Sequence, residues 1–425
     1  MHKSKITSLM TIYAVNPYKG SEDGTGWNML IETAKHQKVI AITRENNQAD
    51  IDRYLQENDL PQAKNIQFEY FDLPYYLRFW KKKSRGALLY CFLWHFGTVW
   101  FARKHQFKFD IAHHLNFHSD WMPSFLWLLG KPFVWGPIGH HPKIPRDFIM
   151  KTAGWKGYLV DRLKWYSKKA FWYFDPFLKI TKWKAAKILC INSSVEKVLN
   201  LPKNKVVLMP AVASHIPEKL ERNTDDFQLL SIGRFVHLKG FDLTIKSFAK
   251  FYKSQPSEKQ LQLKLILIGK GPLKAELEKL TESLDVGQAV SFIDWIDRRD
   301  LDQYFANASV FLFPSHEGAG MVVPEALSFG TPVLCLDNIG PGESIDRDSG
   351  VKIASNKYDE AVDALAIELC KMYESPEYLN DLSKGAEKRF SEMFTWFRKG
   401  EVIASIYNEL VPVKTPFNEQ AEITQ

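Results

Sequence analysis

Cysteine is scarce in this chain of 425 residues, with four in all and no C-x-x-C pair among them. Their wide spacing argues against both a zinc site and a disulfide scaffold. We therefore expect the cysteines to act as small buried hydrophobic residues of a protein in a reducing compartment. The four are Cys91, Cys190, Cys335 and Cys370.

Long hydrophobic runs are also absent. No stretch of about 18 apolar residues occurs, so the sequence predicts no transmembrane helix. Residues 86–101 come closest, but the stretch is too short and contains His95. The first residues lack a long apolar region and a small-residue cleavage site, and they are interpreted as a strand rather than a signal peptide. The net charge of +7 does not by itself indicate nucleic acid, and we expect no such partner.

The order of the apolar segments predicts two α/β domains, the number that this length suggests. Strand and helix patterns alternate, which is typical of parallel sheets covered by helices. In the first half, strands are predicted over 6–13, 38–43, 109–114, 132–135 and 186–191, with a helix over 27–36. In the second half, strands are predicted over 227–233, 263–269, 290–293, 310–314 and 332–336, with helices over 241–252, 272–284, 299–306 and from 324.

The boundary between the domains is predicted within 209–226, a stretch with two prolines and the polar run ERNTDD. Residues 1–212 would form the first domain and residues 213–395 the second. A helix over 396–411 is expected to pack back on the first domain. The tail, 412–425, is predicted to be disordered.

In an open parallel sheet, ligands bind at the carboxyl ends of the strands. A glycine-rich turn, Gly20-Ser-Glu-Asp-Gly-Thr-Gly-Trp27, follows the first predicted strand. Glycine lets the backbone approach a ligand closely, and a helix N-terminus favours anions. The pattern is neither G-x-G-x-x-G nor a Walker A sequence. A plain strand-to-helix turn remains an equally open interpretation.

Two further loops follow strands of the second half. Arg234 and Lys239 lie in the first, where a guanidinium fork and an ammonium group can bind a diphosphate. Gly269 and Gly271 lie in the second, where glycine would keep side chains out of a pocket. Solvated cations and a plain turn are the alternatives. Lys270 is expected to be merely exposed.

The most informative loop is Pro314-Ser-His-Glu-Gly-Ala-Gly-Met-Val-Val-Pro-Glu-Ala-Leu327. Glu317 follows a predicted strand directly, and its carboxylate can accept hydrogen bonds from sugar hydroxyls. Pro324 should open a helix and place Glu325 in its first turn. Backbone amides around Gly320–Val322 can meet an anion.

Glu317 and Glu325 together resemble the E-x7-E motif of the retaining glycosyltransferases of family 4, which have the GT-B fold. The resemblance covers residues from about 6 to 395, and its motifs occur in the family's order and spacing. Within that family, the chain is similar to a subgroup involved in surface polysaccharide assembly. The other matching segments are Pro17, Gly20–Glu22, Gly26-Trp27, Trp135-Gly-Pro137, Gly233-Arg234, Lys239-Gly240, Gly269–Pro272, Pro314-Ser315, Glu325–Leu327 and Gly330–Val333.

The resemblance implies a hexosyltransferase with two Rossmann-like domains facing each other across a cleft. The first domain would bind a glycan or lipid-linked acceptor and the second a nucleotide-sugar donor, with retention of anomeric configuration. Arg234 and Lys239 would hold the diphosphate, Glu325 the ribose, and Glu317 the transferred sugar. Gly20 would lie near the phosphates. Backbone atoms that complete the donor site would come from Gly269, Gly271, Gly318, Gly320, Met321 and Val322.

The family often places a histidine in the acceptor domain near the reacting sugar. His114 or His118 would fill that catalytic role, and a hydrogen-bonded structural histidine is the alternative interpretation of each. The chain departs from its relatives after Gly136-Pro137. They often continue with more glycines, whereas this chain continues Ile-Gly-His140-His141-Pro142.

No Asp-x-Asp metal motif stands at the matching strand end, so we expect neither a metal ion nor another cofactor. A nucleotide-sugar epimerase of the same fold class is the main alternative enzyme, but the epimerases lack the E-x7-E pair. A non-catalytic scaffold with the same fold is the other alternative. Loss of Glu325 or Arg234 would have favoured the scaffold, and both residues are present.

Two segments of the first half are rich in both cations and aromatic residues. Residues 75–108 hold eight Lys or Arg and no acidic residue, and residues 151–187 hold ten against Asp161 and Asp175. Such segments suit an anionic membrane surface, although core aromatics with solvated cations are the alternative. We predict a cytoplasmic protein that is peripheral on the cytoplasmic face of the membrane. The tryptophans concerned are Trp80, Trp94, Trp100, Trp155, Trp165, Trp172 and Trp183.

Overall fold

Two parallel β-sheets organise the chain in this computed structural model, which describes residues 6–82, 85–115, 119–218, 220–294, 296–354 and 356–411. The first sheet contains β1 (Thr7–Ile12), β2 (Lys38–Thr43), β3 (Ile66–Tyr70), β4 (Ile111–Leu115), β5 (Phe133–Ile138), β6 (Lys187–Cys190) and β7 (Val206–Leu208). The second contains β8 (Phe227–Ile232), β9 (Leu263–Ile268), β10 (Val290–Ile293), β11 (Val310–Phe313), β12 (Val333–Leu336) and β13 (Gly350–Ile353).

Both sheets are doubly wound. The first has the strand order β3-β2-β1-β4-β5-β6-β7 and the second β10-β9-β8-β11-β12-β13. The direction of winding reverses between β1 and β4 and again between β8 and β11, and ligands bind at such switch points in open α/β sheets. The prediction of two Rossmann-like α/β domains is confirmed.

Helices connect the strands, as parallel pairing requires. In the first half they are α1 (Ser21–His36), α2 (Gln48–Glu57), α3 (Tyr75–Arg78), α4 (Ala87–Lys104), α5 (Arg146–Phe174), α6 (Pro176–Lys184) and α7 (Ser194–Leu199). In the second half they are α8 (Phe241–Ser254), α9 (Ser257–Gln260), α10 (Lys274–Ser283), α11 (Arg298–Asn307), α12 (Val323–Ser328), α13 (Pro341–Ser344), α14 (Tyr358–Glu374), α15 (Pro376–Met393) and α16 (Trp396–Leu410). The helical conformation of α5 is broken at Gly154.

The second sheet is apolar on both faces, because helices cover each of them. Along β8, Leu229 packs into one buried cluster and Leu230 into the other. β11 alternates in the same way, with Leu312 on the first face and Phe311 on the second. This two-residue period is that of a strand. Because both faces are covered, the strands of this half are mostly apolar.

The chain divides into two compact units. Unit 1 consists of residues 1–140, 170–211 and 396–425, and unit 2 of residues 141–169 and 212–395. The predicted first domain, 1–212, had included 141–169, which the contacts group with unit 2 instead. Within unit 1, α16 packs on α1. The tail predicted to be disordered, 412–425, lies outside the described residues.

Two of the tryptophans predicted at a membrane surface belong to the core. Trp94 and Trp172 are buried, and the indole N–H of Trp94 donates to the Phe71 carbonyl at 2.8 Å. Trp100, Trp155 and Trp183 are exposed. The prediction was wrong for the buried pair, because sequence composition does not reveal which face of a helix points inward.

Candidate functional site

The switch point of unit 2 brings together two residues of the predicted donor site. The loop after β8 carries Lys239 and the loop after β11 carries Glu317. The Lys239 ammonium group pairs with Oε2 of Glu317, and the two side chains are only 15% and 10% exposed. The same ammonium group lies 4.9 Å from the centre of the Phe313 ring.

Glu317 has one carboxylate oxygen to spare. Its Oε1 is buried and has no hydrogen-bond partner among the described residues. A buried acceptor without a partner costs free energy, and native proteins contain few of them. This oxygen can accept a hydrogen bond from a ligand hydroxyl.

The backbone around Glu317 is fixed by hydrogen bonds from neighbouring loops. The His316 N–H donates to the Leu238 carbonyl at 2.8 Å, which joins the two switch-point loops. The Asn338 amide donates to the Ser315 carbonyl at 2.7 Å. These bonds hold the loop before any ligand binds, and preorganised groups stabilise charge more effectively than mobile ones.

The His316 imidazole takes no part in the ion pair and packs against Phe148. Its ring is buried edge-on to Phe148, with the ring centres 4.8 Å apart. Burial lowers the pKa of His316 to about 4. The ring is therefore neutral at physiological pH and serves in packing.

Beyond Glu317, the loop runs through Gly318, Gly320, Met321 and Val322 into α12. The Val323 N–H donates to the Gly320 carbonyl at 3.0 Å, closing the turn before the helix. Pro324 lies at the start of α12 and Glu325 in its first turn, as the sequence predicts. Glu325 is half-buried.

Glu325 also lines a cavity of about 540 Å³ in unit 2. A volume of this size falls within the range of small-molecule sites. Three of the lining side chains are carboxylates, namely Glu218, Asp302 and Glu325. The sequence did not predict that the stretch after Val212 would form a wall. The remaining lining residues are Ser214, His215, Ile216, Pro217, Leu220, Leu301, Phe305, Ser328 and Phe329.

Arg234 is exposed, and its side chain makes no hydrogen bond or ion pair with another described residue. Gly269 and Gly271 lie beside it for a reason that the sequence did not reveal. A Cβ atom at Gly269 would stand 1.9 Å from the Gly233 carbonyl oxygen, and one at Gly271 would stand 2.3 Å from that of Phe235. Close packing of two loop backbones therefore accounts for both glycines. Their donor-binding role stays a prediction.

In unit 1, Gly20 is exposed and directly precedes α1. Among the described residues, no atom outside its immediate chain neighbours lies within 4 Å of the place that a Cβ would take. His114 is buried on β4 and stacks on His95, with ring centres 4.1 Å apart. Burial, together with His114, lowers the pKa of His95 well below its usual range. His118 lies outside the described residues.

The sequence prediction missed a buried carboxylate–imidazole pair in unit 1. Asp120 Oδ2 lies 2.6 Å from Nδ1 of His140, and neither side chain is appreciably exposed. The Asn192 amide donates to the His140 carbonyl at 3.0 Å. These residues follow β4, β5 and β6, so they gather at the carboxyl edge of the sheet. The rule that ligands bind at strand ends could have identified His140 and Asn192 from the sequence.

Comparison with known proteins identifies the domain that contains the ion pair. Residues 213–389 match the model of the family described as glycosyl transferases group 1. This stretch is a glycosyltransferase group 1 domain. Arg234, Lys239, Glu317 and Glu325 all belong to the group 1 domain.

Two curated relatives match over similar stretches. An uncharacterized glycosyltransferase of Haemophilus influenzae is 30% identical over 169 residues, which are 39% of this chain and 41% of that protein. The alpha-monoglucosyldiacylglycerol synthase of Acholeplasma laidlawii is 29% identical over 174 residues, 40% of this chain and 41% of that protein. In both cases the match spans less than half of the relative's length.

A solved structure extends the likeness beyond the group 1 domain. HepE of Anabaena, in complex with UDP and glucose, matches with a TM-score of 0.60 at 13% identity. The match covers 95% of this chain and 100% of that one. At this identity the likeness concerns the fold, which is of the GT-B type in both proteins.

The described residues contain neither a membrane-spanning helix nor a metal-binding cluster. No helix among them is both long and apolar enough to cross a membrane. They also contain no group of three or more His, Cys, Asp and Glu side chains arranged to hold a metal ion.

Proposed function

We propose that the protein transfers a sugar from a nucleotide-sugar donor to a glycan or lipid-linked acceptor, with retention of anomeric configuration. The observation that carries this proposal is the spare buried oxygen of Glu317 at the switch point of unit 2. It lies within a glycosyltransferase group 1 domain. A sugar hydroxyl would supply the hydrogen bond that this oxygen lacks.

In this proposal, cationic side chains neutralise the leaving diphosphate. Arg234 is exposed at the end of β8 and can turn its guanidinium fork towards a phosphate. Lys239 lies in the same loop and holds Glu317. An ammonium group that bridges the carboxylate and the diphosphate would stabilise the charge that develops as the bond to the sugar breaks. No divalent ion is required in this scheme.

Glu325 would bind the ribose of the donor. Its position in the first turn of α12, eight residues after Glu317, agrees with the E-x7-E spacing. The half-buried carboxylate can accept hydrogen bonds from two neighbouring hydroxyls. Retention is inferred from that spacing. HepE, which shares the fold, was crystallised with UDP and glucose.

A lipid-linked acceptor is supported by a surface of unit 1 that we call the aromatic face. Phe92 of α4 and Phe177 of α6 have ring centres 6.3 Å apart, so the two helices adjoin. We define this face by the exposed apolar side chains on and beside α3, α4 and α6, namely Tyr75, Tyr76, Leu77, Phe79, Leu88, Leu89, Phe96, Trp100, Phe177 and Trp183. Exposed apolar side chains that gather into a contiguous patch mark interaction sites. One relative, the Acholeplasma protein, is named for the synthesis of a glycosylated diacylglycerol.

Charge around the aromatic face suits an anionic membrane. Between Gly86 and Ala102 the chain has no charged residue, whereas Arg103 and Lys104 follow at once. Lys104 lies 5.2 Å from the Trp100 ring, and Lys184 lies 4.3 Å from that of Trp183. Cations beside interfacial aromatics are typical of surfaces that rest on lipid headgroups.

Incubating the purified protein with a panel of nucleotide-sugars tests the proposed function. A donor should raise the thermal unfolding midpoint by mass action, and the same donor should be consumed when an acceptor is added. Stabilisation by a nucleotide-sugar without transfer to any glycan or lipid acceptor would favour the scaffold. Interconversion of the donor sugar without transfer would favour the epimerase. Either result would overturn the proposal.

A further inference from the structure

His141 makes a direct hydrogen bond to the loop that carries Glu317. Its Nδ1 accepts the N–H of Gly318 at 3.1 Å. An accepting Nδ1 requires the neutral imidazole with its proton on Nε2. The residue that follows the candidate sugar-binding carboxylate is thus held by a histidine side chain.

The segment that begins at His141 is part of unit 2 and contacts the rest of that unit at several points. The Tyr358 N–H donates to the Asp147 carboxylate at 2.7 Å. Phe148 is buried against the ring of His316, which directly precedes Glu317. The backbone that presents His141 is therefore packed against the same loop that His141 binds.

This bond differs in origin from the others that hold the loop. Leu238 and Asn338, which bond to His316 and Ser315, belong to the group 1 domain itself. His141 lies outside that domain in the sequence, where the chain departs from the glycine-rich continuation of the family that it resembles. A glycine has no side-chain acceptor. His141 thus supplies a side-chain acceptor at a place where a glycine would supply none.

We propose that His141 is a positioning residue for the donor loop. By accepting the Gly318 N–H, it fixes the orientation of the peptide that joins Glu317 to Gly318. The carboxylate is thereby held towards Lys239 before the donor arrives. This proposal rests on the proposed function, because the donor is what the ordered loop would receive.

The size of the expected effect follows from the exposure of His141. A hydrogen bond that competes with water contributes a net effect of about 3- to 10-fold on an equilibrium or a rate. A catalytic group would cost far more on removal. An intermediate loss of kcat/KM for the donor is therefore the signature of positioning.

Two replacements of His141 separate the acceptor atom from the ring. His141→Asn keeps an acceptor near the place of Nδ1, whereas His141→Phe keeps a ring without an acceptor. Because the side chain is exposed, both variants should keep the thermal unfolding midpoint of the wild type. Hydrogen exchange of a peptide that contains Gly318 measures the bond directly, and donor KM and kcat measure its consequence.

We expect His141→Phe to exchange the Gly318 amide faster and to lose about 3- to 10-fold in kcat/KM, mainly through kcat. His141→Asn should restore both values to near those of the wild type. Unchanged exchange and kinetics in His141→Phe would overturn the proposal, and so would equal impairment in His141→Asn. If the wild type turned over no nucleotide-sugar, the proposed function would fail, and exchange alone would decide whether His141 orders the loop.

Discussion

Lys239 and Glu317 form an ion pair that is largely hidden from water, although they are 78 residues apart in sequence. Each lies within ten residues of the end of its strand, and the two strands, β8 and β11, are adjacent in the sheet. The pair occupies one oxygen of the carboxylate and leaves the other without a partner. One residue thus serves both as an anchor and as an acceptor. If Glu317 binds the donor sugar as proposed, stability and sugar binding are coupled at this pair.

The first prediction uses that coupling. Lys239→Ala should lower the free energy of unfolding by roughly 1–3 kcal/mol, because it leaves a mostly buried carboxylate without a counter-ion. Adding Glu317→Gln should recover part of the loss, because the second change removes the unpaired charge. Denaturant unfolding of both single variants and the double variant measures the coupling. Strictly additive losses would contradict it.

The second prediction concerns donor affinity. Glu325→Ala and Arg234→Ala should each weaken nucleotide-sugar binding by roughly 1–3 kcal/mol, through lost bonds to the ribose and to the diphosphate. Calorimetric titration with the donor measures both. Lys270→Ala is the matched control, because Lys270 is an exposed cation close to Arg234 in the fold and has no assigned role. Wild-type affinity in both test variants would show that the donor binds elsewhere.

The third prediction concerns the reaction. If Arg234, Lys239 and backbone amides neutralise the leaving diphosphate, transfer should continue in excess chelator at a rate within about twofold of the untreated rate. Proton NMR of the early product should show the anomeric configuration of the donor. Restoration of lost activity by a divalent ion would contradict the first expectation, and an inverted product the second.

The fourth prediction concerns acid stability. His113 accepts the Tyr407 hydroxyl at 2.6 Å and donates to the Gly136 carbonyl at 2.8 Å, and burial lowers the pKa of His113 to about 4 from its usual 6.5. Between these two pH values, the side chain of His113 is protonated in the unfolded chain and neutral in the folded chain. Stability is therefore complete above pH 6.5 and falls towards pH 4, by roughly 3 kcal/mol for this residue.

Unfolding midpoints between pH 7.5 and 4 check this expectation. His113→Gln should be less stable at neutral pH but should lose less on acidification, because its titrating group is gone. His105→Gln is the control, since His105 is exposed. Its acid profile should match that of the wild type. A His113→Gln profile parallel to the wild type would refute the assignment.

The fifth prediction concerns the aromatic face. Phe96 and Trp100 are 53% and 59% exposed, and replacing both by Ser should reduce binding to anionic liposomes by about tenfold or more. Lys81→Glu with Lys82→Glu should reduce binding further at low salt, whereas neutral liposomes should bind the wild type much less. Lys83, the next cation of the same segment, lies outside the described residues.

Flotation with liposomes measures this binding. Leu261→Ser is the matched control, because Leu261 is 75% exposed and belongs to unit 2 rather than to the aromatic face. It should bind liposomes like the wild type and leave nucleotide affinity intact. Equal recovery of the wild type with anionic and neutral liposomes would rule out the electrostatic part. No binding to either would rule out the membrane partner.

Sequence patterns located β8 to β12 well because those strands are short and largely apolar, but β13 was not predicted. β8 and β9 differ from their predicted spans by a single residue at the carboxyl end. β3, with the sequence IQFEY, escaped prediction. Its alternating polar residues belong to an edge strand, which needs fewer apolar side chains than a central one.

In the candidate site, too, some features could be predicted from the sequence and others could not. The positions of Glu317 and Glu325 followed from local signals, namely a strand end and a proline that opens a helix. The ion pair with Lys239 did not, because two loops 78 residues apart meet only through the sheet order. The bond from His141 to Gly318 did not follow from local signals either, because it depends on how residues 141–169 pack within unit 2.

The place of α16 has a consequence for biosynthesis. This helix belongs to unit 1, where Gly400 lies against Glu32 and Tyr407 bonds to His113 on a central strand. A ribosome makes the strands of that sheet early and α16 only after residues 212–395 have been translated. During synthesis, unit 1 is therefore incomplete until α16 has been made, because His113 lacks its phenol partner and one side of α1 is uncovered. The group 1 domain emerges before α16 and can fold first.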